Sequence, residues 1–370
     1  TSCPADTRTW VVLAYGGNPA TTETWKYDEN GTAYTCKYLD SGDVEVTPTV
    51  YDHHVYTWRQ TYTGTKFEQV YKWKYDRIPF DVTGVKDISK NQIKAGTIKG
   101  KMAGTPKNPS NSTANFRGCI EERDTYEITD YDNVDFSKAL DLDIDRVPNS
   151  GSPATQWRPM FHEISWMPKL TIWNTKNFVP GTVYDTADFL VANDYGLSAC
   201  PAPSRKLATM TSAQMSTYVK SLNPAGSTYH DIGMIWGGRL ISPTGLFASE
   251  NADLPGAPSS RHMIFLTDGI TAPLDLSYGT YGIEPLDKRR WSPSSALTLT
   301  QTVEKRFAVA CNEVKKRNVT VWVIGFGTTL NPVMTECAGP GRFFTAKNAT
   351  ELNTVFAKIA ATMGDLRVSR

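Results

Sequence analysis

The residue most plainly placed to do chemistry is Asp268. It closes the stretch Arg-His-Met-Ile-Phe-Leu-Thr-Asp-Gly at 261–269, where Met263 to Leu266 form a short apolar run that stops at Thr267. Such a run fits a strand buried on both faces, as in a parallel sheet covered by helices. Asp268 then falls just past the carboxyl end of that strand, with Gly269 to let the backbone turn. Open α/β sheets bind ligands at that edge. A carboxylate there could hold a cation. Its plainer role is to cap the next segment, and the stretch alone favours that role.

Other chemistry is thinly represented. The histidines are His53, His54, His162, His230 and His262, and no GxSxG elbow or HExxH helix accompanies them. His230 beside Asp231 could be argued as a base with its orienting acid, but a histidine at a helix start more often serves structure. Asp141, Asp143 and Asp145 alternate with Leu142 and Ile144. Calcium loops use such spacing, yet the glycine and closing glutamate of an EF-hand loop are missing, and a solvated strand edge fits better. No GxGxxG or GxxxxGK[ST] follows an expected strand, so nucleotide binding is not indicated. The chain reads as a non-enzyme.

Six cysteines stand at 3, 36, 119, 200, 311 and 337, with no CxxC and no Cys/His group at zinc spacing. An even number of scattered cysteines points to disulfides formed in an oxidising compartment. Their connectivity stays open at this point. The 39 basic and 38 acidic residues give a net charge of +1, which offers no electrostatic reason for a nucleic-acid or anionic-membrane partner. Hydrophobic content of 40% and charged content of 21% allow a packed core. No apolar run approaches the ~20 residues of a membrane-spanning helix, and no signal peptide opens the chain.

These residues need elements to position them. The first half reads as β-structure: Trp10–Leu13 ends at Gly16-Gly17, and Asn30-Gly31 signals a hairpin. Val55–Tyr62 and Phe67–Tyr75 flank a turn at Thr63-Gly64-Thr65. In the second of these, Phe67, Gln69, Tyr71, Trp73 and Tyr75 alternate with Glu68, Val70, Lys72 and Lys74. Period two with one aromatic face predicts a half-buried antiparallel strand. Such a face can bind sugars, although packing is its commoner use. Residues 101–115 read as an exposed loop, and 149–203 as irregular surface structure.

The texture changes near Leu207. Met215, Tyr218, Val219 and Leu222 recur at helical spacing behind a Thr211/Gln214 capping box. Thr228 lies in the loop before a second helix. Val303, Phe307, Ala310, Cys311 and Val314 mark a third helix, Val319–Ile324 a second buried strand, and Arg342–Thr345 a short one. Asn348 with Glu351 caps a last helix faced by Leu352, Val355, Phe356, Ile359 and Met363. Alternating strands and helices specify an α/β fold with a doubly wound, mostly parallel sheet in the C-terminal half. The division expected is a β-rich region over residues 1–196 and an α/β domain over 197–370.

A Gly-x-Thr loop before a helix, a strand ending in Thr267-Asp268-Gly269, and Ile324-Gly325-Phe326-Gly327 together resemble the later part of a von Willebrand factor A domain. With Gly118-Cys-Ile-Glu-Glu-Arg123, Gly233-Met-Ile-Trp-Gly-Gly-Arg-Leu-Ile-Ser-Pro243, Cys337-Ala338, Arg342-Phe-Phe-Thr-Ala346 and Phe356-Ala-Lys-Ile-Ala360, the chain is similar to the TadG-like proteins of the tight-adherence (Flp) pilus-assembly system. The resemblance covers roughly residues 116–123 and 197–370. It implies a von Willebrand factor A-like domain with a large β-rich insertion, in the envelope of a Gram-negative bacterium, periplasmic or surface-exposed. It also implies a metal-ion-dependent adhesion site, with Thr228 and Asp268 matching the threonine and aspartate that hold Mg²⁺ (or Ca²⁺ or Mn²⁺).

The Asp-x-Ser-x-Ser loop of that site is absent. Asp81-Val-Thr-Gly-Val85 lacks its second hydroxyl and is not assigned to it. The resemblance therefore leads us to expect that the domain's first strand, its loop and a membrane anchor precede residue 1. The place of that strand would be filled by a companion fragment or by a segment such as Trp10–Leu13. The same resemblance suggests the pairs Cys3–Cys36, Cys119–Cys200 and Cys311–Cys337. The function it implies is a non-enzymatic adhesion or scaffold component that binds protein partners of a pilus or secretion apparatus, or a cell-surface ligand. The alternative is a surface glycan-binding adhesin that uses the aromatic β-region.

Overall fold

The computed structural model describes residues 8–13, 22–29, 32–39, 55–63, 66–74, 81–87, 92–104, 109–164, 166–168, 183–184, 189–191, 196–253, 255–256 and 259–365. Two compact units emerge, each discontinuous in sequence. One comprises Thr1–Glu122, Asn149–Pro201 and Leu276–Asp287, the other Arg123–Pro148, Ala202–Asp275 and Lys288–Arg370. They are therefore not two consecutive halves divided near residue 197.

The first unit is built of antiparallel ribbons. Strands β1 (Arg8–Leu13), β4 (Val55–Thr63) and β5 (Lys66–Lys74) form one sheet, closed by Val183–Tyr184 against β5. β2 (Thr22–Glu29) and β3 (Thr32–Leu39) make the hairpin expected at Asn30-Gly31. Within β1, Trp10 faces Trp58 and Leu13 faces Val55 in the register. Trp10–Leu13 is thus an edge of this antiparallel sheet and does not fill the place of a missing parallel strand. Hydrogen bonding explains the choice: β4 already carries β5 on one side and offers β1 its other. The aromatic side chains of β5 and the Cys3–Cys36 pair lie outside the described residues. β6 (Thr97–Gly104) and β7 (Pro109–Asn115) form a further hairpin, so most of the expected 101–115 loop is strand.

The second unit is mixed α/β. Its sheet is parallel, in the order β8 (Arg261–Thr267), β9 (Val319–Phe326), β10 (Phe343–Ala346). β9 is central and nearly continuously apolar, and its two faces do different work, as period two requires. Val319, Val321 and Val323 enter one core with Met234 and Ile235 of α2 (His230–Ile241), Phe307, Ala310 and Val314 of α3 (Leu299–Lys316), and Met334 of α4 (Pro332–Ala338). Trp322 and Ile324 enter another with Ile359 of α5 (Ala349–Asp365), flanked by Leu352, Val355 and Met363. Helices therefore cover both faces. Each such apolar side chain contributes about 1.5–3 kcal/mol when fully buried.

Local signals agree with this layout. Thr298 and Gln301 form a capping box that opens α3, and Lys315 and Lys316 occupy its last turn. Asn348 and Glu351 cap α5 reciprocally. Cys311 and Cys337 are bonded, joining α3 to α4. Helix α1 (Ser212–Ser221) has its expected capping box at Thr211, but none of its residues is buried. Its stripe of Met215 and Val219 faces outward, roughly half exposed.

Asp141, Asp143 and Asp145 do not form a solvated strand edge. Leu142 and Ile144 are buried in the larger core, and Asp141 is fully buried in an ion pair with Arg306. Asp143 pairs with Arg146, and Asp145 accepts from Ser242, Thr244 and Arg317. The alternation reflects a chain that alternates between apolar core and cationic partners.

Candidate functional site

The cleft at the carboxyl end of β8 is made by two loops held together through the backbone. Thr228 N–H donates to the Ala272 carbonyl at 3.1 Å, and Ala272 N–H donates to the Thr228 carbonyl at 3.2 Å. This short antiparallel bridge fixes the segment before α2 against the loop that carries Asp268. Ser227, Thr228, His230, Thr267, Asp268 and Phe326 line the resulting cleft of about 540 Å³. Thr228 is half-buried and Asp268 exposed. The two residues predicted as a site are thus brought to one cleft.

The loop after β8 is shaped by Thr267. Its hydroxyl donates to the Gly269 carbonyl at 3.1 Å and accepts from Gly269 N–H at 3.3 Å. Gly269 has no positive φ, so the hydroxyl, more than glycine's freedom, makes the turn. Thr228 is not the helix N-cap: that position is Tyr229, without a side-chain cap. Tyr229 instead spans the loop, its hydroxyl donating to the Leu274 carbonyl at 2.8 Å and accepting from Leu274 N–H at 3.2 Å.

His230 and Asp231, adjacent in sequence, serve different partners. His230 is buried, with Nε2 2.9 Å from Thr267 Oγ1 and Nδ1 2.9 Å from Thr271 Oγ1. Its ring meets Phe265 edge-on at 5.8 Å between centroids. Burial pulls the His230 pKa below its usual value, while the Asp268 carboxylate pulls it up. Asp231 points the other way. It is fully buried, donated to by Arg290, and 3.9 Å from Arg306 Nε. Burial pushes its carboxyl upward against the pull of the two guanidinium groups. The pair is therefore a brace for the first turn of α2, with His230 supporting the floor of the cleft.

A hard divalent cation wants about six oxygen ligands, several of them water. The cleft offers one exposed carboxylate, Asp268, and the Thr228 hydroxyl. Asp231, the acid nearest in sequence, is committed to Arg290. Among the described residues no group of three acidic or histidine side chains gathers around Asp268. The donor set fits Mg²⁺ only as a weakly held ion that keeps most of its water and takes further oxygens from a partner. Asp81 belongs to the other unit, where its Oδ1 accepts from Thr83 N–H at 2.9 Å and holds its own turn.

Sequence reasoning did not single out Thr267 and Thr271 as the partners of His230. Thr267 was legible only as the end of an apolar run, because a hydroxyl's partner is set by the loop on the neighbouring helix. The Cys119–Cys200 bond is present, as is Cys311–Cys337. No family model, no curated protein and no solved structure matches this chain. Among the described residues no helix is long and apolar enough to cross a membrane.

Proposed function

We propose that this chain is a non-enzymatic adhesion or scaffold component of a tight-adherence pilus system. It binds protein partners through the carboxyl edge of a von Willebrand factor A-like sheet. The observation that carries the reading is the shared cleft of Thr228 and Asp268 at the end of a parallel strand, where the carboxylate is exposed and the neighbouring histidine is fully occupied by threonine hydroxyls. An exposed acid with no hydrogen-bonding duty among the described residues is a group available to a ligand. Leu266 and Ile270, 49% and 69% exposed, flank it and would add apolar contact.

The bridging chemistry follows from the donor set. A Mg²⁺ ion, when bound, would supply positive charge that lets an acidic residue of the partner dock beside Asp268. Asp268 would hold the ion, Thr228 would orient one of its waters, and His230 with Thr267 would keep the loop in place. The two disulfides fit an oxidising, extracytoplasmic compartment, and the bacterial envelope is proposed from the sequence resemblance.

A thermal melt with excess Mg²⁺ or Mn²⁺ against EDTA tests the reading. A ligand of the folded state at about 100 times its Kd stabilises by ~2.7 kcal/mol. A metal-dependent rise in Tm that Asp268→Ala abolishes is expected. No shift in either protein would sink the adhesion-site reading.

A further inference from the structure

Cys119, His162 and Cys200 come together in the ribbon unit, remote in sequence from one another. Ile120–Glu121 pairs with Arg158–Pro159, and Met160 N–H donates to the Cys119 carbonyl at 2.9 Å. That register delivers His162, two residues on, to the side of Cys119. The bond to Cys200 completes the group. Both sulfurs and a ring nitrogen of His162 lie within 4.8 Å of one another.

The histidine has the features of a ligand held in reserve. It is fully buried, and Nδ1 is engaged by the Ser198 hydroxyl, two residues before Cys200. Among the described residues Nε2 is buried without a hydrogen-bond partner. A buried polar nitrogen left unsatisfied is destabilising unless something else uses it. An oxygen on the other ring nitrogen is the usual support of a metal-bound histidine. Tyr278 braces the assembly: its hydroxyl donates to Glu121 Oε1 at 2.9 Å and accepts from Phe161 N–H at 3.4 Å, and its ring lies edge-on to His162.

The geometry points to a redox-gated thiophilic metal site, closed while Cys119 and Cys200 are bonded and able to take Zn²⁺ through two thiolates and His162 once they are reduced. Two thiolates neutralise the ion's charge, which suits a half-buried place. Tetrahedral coordination at Zn–S distances of ~2.3 Å sets the sulfurs about 3.8 Å apart once the bond is broken. The step balances with a dithiol as reductant. The dithiol gives two electrons and becomes a cyclic disulfide, the Cys119–Cys200 bond breaks, and the two protons end on the cysteine sulfurs. Zn²⁺ then displaces both protons as the thiolates bind. The fourth position is left to water.

The test is a Co²⁺ titration of the full chain, oxidised and after reduction with dithiol and its removal under inert gas. We expect no thiolate-to-metal charge-transfer band from the oxidised chain. The reduced chain should take one Co²⁺ with a thiolate-to-metal charge-transfer band that Zn²⁺ displaces. Cys200→Ser should abolish the band, and His162→Gln should weaken binding at least roughly tenfold, the loss typical of removing even an outer partner. Should His162→Gln fail to fold, alkylation of the reduced wild-type chain decides. Zn²⁺ should then slow alkylation of Cys119 and Cys200 relative to the same reduced chain without metal. A reduced chain without the band, a band that survives Cys200→Ser, or alkylation of Cys119 and Cys200 that Zn²⁺ leaves unchanged would overturn the assignment.

Discussion

Asp231 and Asp268 stand in the same unit, at the two ends of one short structural relay, and are used in opposite ways. Asp231 is fully buried at the start of α2 and spends its charge on Arg290 and Arg306. Asp268 stands at the rim and leaves its charge to solvent. Between them His230 joins α2 to the β8 loop through Thr267 and Thr271. The contrast teaches that acid type alone does not mark a site. What separates a brace from a candidate ligand is whether the fold has already matched the charge.

Breaking the brace should have the largest effect. Arg306 binds Asp141 and lies beside Asp231, all three fully buried. Arg306→Ala should cost about 3–5 kcal/mol in urea unfolding, because it takes a guanidinium away from the buried Asp141 carboxylate. Asp231→Asn, which keeps the shape and removes one charge, should cost less. If Arg306→Ala proves neutral, the buried cluster is not what anchors α2.

The relay comes next. Thr267→Val removes the oxygen that His230 Nε2 and Gly269 share, and should cost about 1–3 kcal/mol. The same variant should loosen the Asp268 loop, visible as faster amide exchange at Gly269. Unchanged stability would show that the Thr228–Ala272 bridge and the Tyr229–Leu274 bonds hold the loop without it.

Protonation probes the relay without mutation. The folded pKa of His230 lies below that of the unfolded chain, so the unfolded state binds the proton first as pH falls. The stability it contributes is complete above the unfolded value near ~6.5 and is lost as pH drops toward the folded value. Nuclear magnetic resonance titration of the imidazole should show this depression. Asp268→Asn should depress it further, since the carboxylate raises it. An unchanged His230 titration in Asp268→Asn would mean that the two groups are not coupled.

Asp268→Ala should have the smallest effect on stability, within about 0.5 kcal/mol in EDTA, as befits an exposed side chain. A loss as large as that of Thr267→Val would place Asp268 with the braces and erase the contrast.

Much of the second unit was legible in the sequence because its signals are periodic and local. The apolar runs at 263–266 and 319–324, the capping pairs Thr211/Gln214 and Asn348/Glu351, and the stripe of α3 all lie within one element. They specify strand or helix through side-chain spacing and hydrogen bonds a few residues apart. That Thr228 would join Asp268 was implied by the family resemblance alone, and the backbone bridge that brings their loops together joins residues 228 and 272 and has no local signal.

Three features were decided only by the tertiary structure. Asp141 and Asp145 became braces because Arg306 and Arg317, distant in sequence, reach their carboxylates, while Arg239 donates to the Asp141 backbone carbonyl. Trp10–Leu13 joined an antiparallel sheet because β4 offered a free edge. Cys119, His162 and Cys200 became one cluster because a two-residue strand pairing sets their register. Sequence fixes the preferences of each element through forces that act over one turn or one pleat. Which charge meets which, and which sulfur lies beside which imidazole, depends on packing between segments far apart in the chain, and only the folded molecule carries that information.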